Sequence, residues 1–401
     1  MTSKTVSRCP VCDGTQVRDL LRIEQVPVYC NVLWPDQRQA CTAARGALVL
    51  SYCVACAHLF NTAFDPHLTE YTPAYDNSLH YSALFNQYAE QLAVRLVDRY
   101  ALRGKCVVEI GCGKGDFLRL LCTQGNNRGL GFDRSFEPER ERERVRETLL
   151  GNVTFFQDFY TEEYARRYQP DFVCFRHVLE HIQHPLDFLG ALRRSLGERR
   201  DVILYCEVPN ALFTLKDMGI WDLIYEHCAY FSLNSLITAF NRAGFDVVAS
   251  DESFGGQFIW VEARPGSGHS KVTLAEQQTP EHIRQYVDAF ADQYQANVQA
   301  WRERLVNMAR ERRRAVVWGA GSKGVTFLNV LNDHAADIRH VVDLNPHKQG
   351  RYVAGSGQQV VPPDFLCTSP ATDVIVMNPL YLDEITAAVR AMGLDMRISN
   401  V

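Results

Sequence analysis

The stretch Lys105-Cys-Val-Val-Glu-Ile-Gly-Cys-Gly-Lys-Gly-Asp-Phe-Leu-Arg-Leu-Leu121 decides the fold of the central part of this 401-residue chain. It begins with an apolar run, passes Gly111, Gly113 and Gly115, and continues with apolar residues at helical spacing. A strand, a glycine loop and an amphipathic helix in this order open a nucleotide-binding α/β unit. The next strand ends at Asp133, about 20 residues after the loop, where a carboxylate can accept both ribose hydroxyls of an adenosine-bearing cofactor.

Further apolar runs indicate that the unit continues as a doubly wound α/β domain. They lie at Val153–Phe156, Phe172–Phe175 and Val202–Val208, with helical sequence between them. The glycine loop begins with the acid Glu109 and lacks the strict G-x-G-x-x-G spacing that brings a pyrophosphate onto a helix N-terminus. An acid at this position suits a cationic ligand without phosphates.

The string E-I-G-C-G-x-G resembles motif I of class I S-adenosylmethionine-dependent methyltransferases. This resemblance implies S-adenosylmethionine as the cofactor and makes Asp158 the acid that contacts adenine. The expected cofactor-binding residues are Glu109, Gly111, Gly113, Asp133, Asp158, Phe159 and His177.

Composition limits the classes of partner. The net charge is −5, with 22% charged residues, so no large basic excess is present for a polyanion and we expect no nucleic-acid partner. No run of about 18 apolar residues occurs, which predicts no membrane span. The first residues carry no secretory signal, so we expect a cytoplasmic, reducing compartment. The length predicts two to three domains.

Thirteen cysteines are present, and four of them form two C-x-x-C pairs, Cys9 with Cys12 and Cys53 with Cys56. Two such pairs can direct four thiolates to one tetrahedral centre, which predicts a structural Zn²⁺ site. The alternatives are four ordinary buried thiols or a redox pair.

Two segments after the glycine loop carry candidate catalytic groups. In Phe175-Arg-His-Val-Leu-Glu-His, the pattern predicts that His177 and His181 share one helical face at the carboxyl edge of the sheet. Glu226 and His227 then bring an acid and an imidazole side by side, which suits proton transfer. The alternative is a polar loop that caps the helix beginning after Ser232.

The last third predicts a second α/β unit. A polar stretch over 266–279 indicates a linker, and Pro280 to Arg314 predicts a long charged helix. Gly319, Gly321 and Gly324 then match G-x-G-x-x-G, so an NAD-dependent activity is a competing hypothesis. Candidate phosphate or ribose contacts are Lys323, Asn345, Lys348 and Asn378, whose alternative is to be solvated loop residues.

Taken together, the cysteine pairs, the loop from Glu109 to Gly115, the His177–His181 segment, the Glu226–His227 pair and the glycine sequence before Gly324 resemble the bacterial sugar C-methyltransferase family. The resemblance implies three parts: a zinc-binding domain over 1–66, a methyltransferase domain over 67–265 with a helical lid at 67–103, and a Rossmann-like domain over 266–401. The fold class is therefore α/β, with a class I methyltransferase core between a small zinc-binding domain and a C-terminal Rossmann-like domain.

The same resemblance implies C-methylation of a nucleotide-linked keto-sugar. His227 is then the base, and Glu226, His181 and Tyr225 complete the catalytic set. Tyr75 and Asn77 close over cofactor and acceptor, and Lys323, Asn345 and Asn378 contact the substrate. We expect a monomer.

Two positions depart from the family pattern. The later glycine pair, Gly255 and Gly256, is followed by Gln257 where the family commonly has a serine. Ile224 stands where the family commonly has a tyrosine, which removes a hydrogen-bonding group from the acceptor site. Methylation at oxygen or carbon of another small natural-product intermediate therefore remains an alternative.

Overall fold

The computed structural model describes residues 8–69, 79–136 and 152–401. Within these ranges the chain forms three β-sheets, and the first is an N-terminal antiparallel sheet. Its elements are β1 (Val17–Pro27), α1 (Gln37–Cys41), β2 (Arg45–Cys53) and β3 (Leu59–Asn61). A fourth strand of only two residues, Ala229–Tyr230, comes from the middle of the chain and pairs with β3. The N-terminal sheet is therefore completed by a segment of the central domain.

The central domain contains the predicted doubly wound sheet. Its strands are β4 (Cys106–Ile110), β5 (Arg128–Phe132), β6 (Val153–Phe156), β7 (Phe172–Arg176), β8 (Ile203–Pro209), β9 (Ala229–Tyr230, in the N-terminal sheet), β10 (Phe245–Ser253) and β11 (Phe258–Pro265). Its helices are α2 (Ala83–Arg99), α3 (Asp116–Gly125), α4 (Glu162–Tyr168), α5 (Pro185–Ser195), α6 (Ala211–Leu215) and α7 (Leu233–Arg242).

The order of the seven-stranded sheet is β10-β11-β8-β7-β4-β5-β6. Strands β4 to β8 run parallel, and the hairpin of β10 and β11 joins β8 antiparallel. The strands predicted at 153–156, 172–175 and 202–208 are confirmed within one residue. Helix α2, in the region expected to be a lid, packs its buried face against α3 and the sheet.

The C-terminal domain begins with the long helix α8 (Pro280–Arg310), four residues shorter than predicted. It ends there because Arg312 takes a left-handed conformation with φ 56°. A parallel sheet follows in the order β14-β13-β12-β15-β16. The remaining elements are β12 (Ala315–Trp318), α9 (Ser322–Leu331), β13 (His340–Val342), β14 (Gln359–Val361), β15 (Asp373–Val376), α10 (Leu382–Ala391) and β16 (Arg397–Asn400).

The parallel strands of the central sheet and those of the C-terminal sheet have their carboxyl ends at the same space. A cavity of about 550 Å³ lies there. It is lined from the central sheet by residues that follow β4, β5 and β7, and from the C-terminal sheet by residues that follow β12, β13 and β15. Open α/β sheets bind ligands at this edge, so the fold places the candidate site between the two domains. No helix in the described ranges is long and apolar enough to cross a membrane.

Candidate active site

The glycine loop after β4 forms one end of the cavity. Gly111, Gly113 and Gly115 have φ values of 68°, 54° and 79°, in the left-handed region that favours glycine. A Cβ on Gly111 would lie 2.3 Å from the Val178 side chain, whereas a Cβ on Gly113 would have no atom within 4 Å. The loop therefore presents bare backbone to open space, as the binding of an extended ligand requires.

Two acids flank this loop. Asp133 accepts a hydrogen bond from the Gly113 N–H at 2.8 Å, and its other oxygen accepts one from the Ser135 N–H at 2.7 Å. Glu109 is 4% exposed, and burial raises the pKa of its carboxyl to about 8. Its Oε2 atom has no hydrogen-bond partner among the residues described. A buried acid that lacks a partner fits a cationic group in the ligand.

Asp158 and Phe159, expected to contact adenine, lie outside the lining of the cavity. The Asp158 carboxylate accepts a hydrogen bond from the Tyr164 hydroxyl at 2.9 Å, and Phe159 is 51% exposed. Tyr75 and Asn77 lie outside the described residues. The structure thus brings together Glu109, Gly111, Gly113, Asp133 and His177 from the expected cofactor set.

The segment after β7 is not the helix expected from the four-residue spacing. His177 takes a left-handed conformation with φ 55°, and only Leu179–His181 form a 3-10 turn. The left-handed backbone at His177 is incompatible with a right-handed helix, and the His177 N–H donates to the Glu207 carbonyl at 2.8 Å, which extends the sheet by one hydrogen bond. His177 and His181 nevertheless both line the cavity.

A buried charge network holds the cofactor side of the cavity. The Glu207 carboxylate is fully buried and accepts hydrogen bonds from Arg176 Nε at 2.9 Å and Nη2 at 2.7 Å. It also accepts one from the Tyr205 hydroxyl at 2.9 Å and one from the Tyr88 hydroxyl of α2. Burial alone would raise the pKa of Glu207, but Arg176 and its other partners hold it well below its usual range. The network ties helix α2 to the sheet.

The acid–imidazole pair lines the same cavity as the glycine loop. His227 faces His181 with ring centroids 4.9 Å apart, and Glu226 lines the same wall. The Nδ1 atom of His181 lies 3.0 Å from the Glu226 carbonyl oxygen. Because a carbonyl only accepts, Nδ1 carries the proton, and the other ring nitrogen, Nε2, keeps its lone pair.

Burial governs the protonation of these groups. It lowers the pKa of His227 well below its ordinary value, with further lowering by the positive charges of His181, His177 and Lys323. Burial also raises the pKa of Glu226 to about 7, although the backbone N–H groups of Cys30 and Asn31 favour the carboxylate. At neutral pH His227 is therefore an uncharged imidazole, the form that can accept a proton.

Tyr225, expected in the catalytic set, is fully buried and is not among the lining residues. Its hydroxyl accepts a hydrogen bond from the Asp65 N–H at 2.8 Å and lies 3.3 Å from the Asp65 carbonyl oxygen. The Tyr225 hydroxyl therefore links the loop that carries Glu226 and His227 to the N-terminal module, the part of the chain that forms the N-terminal sheet.

The four cysteines of the two C-x-x-C pairs come together at the end of the N-terminal sheet. Their four sulfur atoms all lie within 4.8 Å of one another. The Sγ atoms of Cys9 and Cys56 are 3.7 Å apart, and those of Cys12 and Cys53 are 3.4 Å apart. A tetrahedron with zinc–sulfur bonds of about 2.3 Å has edges of about 3.8 Å. Backbone N–H groups of Val11 and Gly14 point at Cys9 and Cys12, each at 3.4 Å. The cluster is compatible with zinc.

The C-terminal glycine loop lines the far end of the cavity. Lys323 reaches it, but its ammonium donates to the Asp222 carboxylate at 2.6 Å. Asn378 lines the cavity and exchanges two hydrogen bonds with Gln257, at 2.7 and 3.0 Å. Asn345 is 1% exposed and is not a lining residue. Asp343 accepts from the backbone N–H groups of Ala320 and Asn345, each at 2.8 Å.

Sequence reasoning did not single out Glu180, Glu207 or Glu384, although each has a place at the site. Glu180 lies between His177 and His181 in the sequence, and the pattern there points to the two histidines. Glu384 lies in α10, yet its carboxylate accepts hydrogen bonds from Ser82 and from the first N–H groups of α2. No local signal in the sequence could reveal that contact across 302 residues.

Comparison with known proteins agrees with this arrangement. Residues 85–250 match a methyltransferase domain, and residues 254–395 match a C-methyltransferase C-terminal domain. The C-methyltransferase NovU of Streptomyces niveus is 28% identical over 288 residues, which cover 67% of this chain and 66% of that protein. The aligned region thus spans slightly less than two thirds of that relative.

Solved structures with similar parts include a magnesium protoporphyrin IX methyltransferase from Synechocystis, 20% identical, with a TM-score of 0.34 over 46% of this chain and 84% of that one. Another is a dimethyltransferase, RosA, from Streptomyces davawensis, 20% identical, with a TM-score of 0.36 over 45% of this chain and 54% of that one. These scores are too low to carry an argument about function. The domain match and the sheet order agree, and the central part of this chain is a class I S-adenosylmethionine-dependent methyltransferase domain, followed by a segment that is similar to a C-methyltransferase C-terminal domain.

Proposed function

We propose that the protein transfers a methyl group from S-adenosylmethionine to a carbon atom of a nucleotide-linked keto-sugar. The observation that carries the proposal is the placement of the His227 imidazole beside Glu226 and facing His181 in the cavity shared with the glycine loop. The match to a C-methyltransferase C-terminal domain and the similarity to NovU support carbon as the methylated atom. The sugar nucleotide rests on the family resemblance of the motifs.

The chain's own residues suit this chemistry. S-adenosylmethionine, when bound, supplies an electrophilic methyl group. Glu109 and Asp133 would hold the cofactor at the glycine loop, because both acids flank it and Glu109 has an oxygen without a partner in the described structure. His227 would take the proton from the carbon next to the acceptor's carbonyl group. With a carboxyl pKa of about 7, Glu226 can donate a hydrogen bond to that carbonyl oxygen.

The size and position of the cavity support an acceptor with two parts. The acid–imidazole pair and the glycine loop before α9 both line one continuous space of about 550 Å³. A sugar at the acid–imidazole pair and a nucleotide at this glycine loop would both lie in this space. We further propose that the four clustered cysteines hold one structural zinc ion, since four thiolates leave no open position for a substrate.

The test uses the full-length protein with S-adenosylmethionine carrying a ¹³C-labelled methyl group and a nucleoside diphosphate keto-sugar. We expect a new carbon-bound methyl resonance in the sugar. A methoxy resonance would assign O-methylation instead. Calorimetry supplies the control: S-adenosylhomocysteine should bind and NADH should not, and the reverse result would reject the methyltransferase assignment in favour of the NAD hypothesis.

A further inference from the structure

Glu180 is a buried acid that the mechanism above does not use. It is 1% exposed and lines the cavity in the 3-10 turn Leu179–His181. Apart from a 3.5 Å approach by His177 Nδ1, neither carboxylate oxygen accepts a hydrogen bond from any residue in the described ranges. An ionised carboxylate in such a place is costly unless cations stand near it. The role of Glu180 therefore depends on the side chains around its carboxylate.

Three histidines surround this carboxylate. One oxygen of Glu180 and one ring nitrogen each of His181 and His227 lie within 4.8 Å of one another. On the opposite side, His177 lies between two acids, with Nδ1 3.5 Å from Glu180 and Nε2 3.4 Å from Glu207. Acidic side chains therefore alternate with histidines, which are positively charged when protonated. The series runs from Glu207 through His177 and Glu180 to His181 and His227.

The fold holds Glu180 firmly. The turn that carries it follows the end of β7 after two intervening residues, and the Cys228 thiol approaches the Glu180 carbonyl oxygen at 3.6 Å. Cys228 is the residue after His227, so the backbone of the acid and the loop of the imidazole are joined. The separation between the carboxylate and the imidazole is thus set by the scaffold.

We propose that Glu180 is the fixed counter-charge of the acceptor site, which pairs with a protonated His177 and stabilises the imidazolium that forms on His227 during turnover. Glu180 is in this view a positioning residue for charge, because it acts through the histidines. The inference rests on the proposed function for the step at His227, while the pairing with His177 stands without it.

The protonation step balances as follows. A proton would leave the carbon beside the acceptor's carbonyl group for a ring nitrogen of His227, and the electron pair left on that carbon would form the new bond to the methyl carbon. The bond between the methyl carbon and the cofactor's sulfur would break, its electron pair would stay on sulfur, and S-adenosylhomocysteine would be the leaving group. His227 becomes positively charged, and Glu180 stays a carboxylate throughout. Without an anion within about 5 Å, this charge would form in a buried site beside two other histidines, where like charges repel.

The directions of the histidine pKa shifts agree with this geometry. Burial would lower the pKa of His177, but Glu180 and Glu207 outweigh it and the net shift is upward. Burial lowers the pKa of His181 overall, and Glu180 opposes that shift. The other titratable groups that face the cluster are Glu226, whose carboxylate binds the Cys30 N–H, the Cys228 thiol, and Lys323, which pairs with Asp222.

The first test needs no acceptor, so its outcome does not depend on the proposed reaction. Glu180→Gln removes the charge and keeps the size of the side chain. In protein loaded with S-adenosylhomocysteine, ring ¹⁵N chemical shifts over a pH series should show the pKa of His177 falling by about one unit or more. An unchanged His177 titration would overturn the pairing.

The second test measures turnover with Glu180→Gln, Glu180→Asp and, as the matched control on the exposed face of α4, Glu163→Gln. We expect Glu180→Gln to lower kcat about tenfold or more with the KM for S-adenosylmethionine within twofold, Glu180→Asp to recover part of it, and the control to match the native protein. Equal activity of Glu180→Gln and the native protein, or failure of Glu180→Asp to exceed Glu180→Gln, would overturn the role in turnover. If Glu180→Gln does not fold, the His177 titration of Glu180→Ala decides instead, with the same fall in the pKa of His177 expected and an unchanged titration overturning the pairing.

Discussion

The carboxylate of Glu226 accepts a 2.7 Å hydrogen bond from the backbone N–H of Cys30, a residue 196 positions earlier in the chain. Cys30 belongs to the N-terminal module, and Glu226 belongs to the candidate catalytic loop. Two more contacts cross the same boundary: Tyr225 to Asp65, and β9 to β3. The module that carries the four clustered cysteines therefore holds the loop that carries His227.

This relationship predicts that loss of metal reaches the active site. We expect metal analysis of the native protein to find about one zinc per chain. Cys53→Ser should lose the metal and most of its turnover while S-adenosylhomocysteine still binds, because the cofactor loop belongs to the central sheet. The exposed Cys41, changed to serine, is the control. Full turnover in a metal-free Cys53→Ser protein would contradict the coupling.

His227→Asn removes the group that we propose as the base. We expect kcat to fall by about 10² to 10⁴, because general base catalysis contributes that much, while calorimetry gives nearly native affinity for S-adenosylhomocysteine. The control is His184→Asn, an exposed histidine at the start of α5. Native turnover in His227→Asn would remove this residue from the mechanism.

The raised pKa of Glu226 predicts a pH-dependent contribution to stability. Burial raises it from an ordinary 4.5 to about 7, so the folded protein keeps this proton where the unfolded chain releases it. The contribution is fully present below pH about 4.5 and is lost as pH rises through about 7. A shift of this size corresponds to about 3 kcal/mol.

Urea unfolding of the native protein and of Glu226→Gln from pH 4.5 to 8 measures this term by difference. Since the amide does not titrate, the variant should gain stability relative to the native protein as pH rises, levelling above about pH 7. A difference in unfolding free energy that does not change with pH would show that Glu226 is not perturbed.

Glu384 caps the N-terminus of α2 from the C-terminal domain. Its carboxylate accepts hydrogen bonds from the Ser82 hydroxyl at 2.8 Å and the Leu84 N–H at 3.3 Å. Glu384→Ala should cost about 1–2 kcal/mol, since an acid at a helix N-terminus satisfies free N–H groups and interacts favourably with the helix dipole.

Hydrogen exchange of the first turn of α2 gives the local readout for Glu384→Ala, and we expect it to speed up. The neighbouring exposed acid Asp383, changed to alanine, is the control. Equal exchange rates in the two variants would show that the contact between the domains does not hold the helix.

Much of the architecture could be predicted because it depends on local patterns. The β4 strand, its glycine loop and α3 follow from adjacent residues, and so does the second strand–loop–helix unit at Gly319. Each C-x-x-C pair also follows from its spacing, because it needs only a tight turn. By contrast, the helix expected from His177 to His181 does not form, because His177 takes a left-handed conformation in which its N–H pairs with Glu207 on the next strand.

The sequence by itself determined the class of the central fold, the cofactor loop and the identity of the acid–imidazole pair, since each is written in residues close together along the chain. Only the tertiary structure decided that β9 completes the N-terminal sheet, that Tyr225 is an anchor for the loop, and that Glu180 stands among three histidines. These features depend on contacts between residues far apart in sequence. Burial and partner geometry set such contacts, and a linear pattern does not contain them.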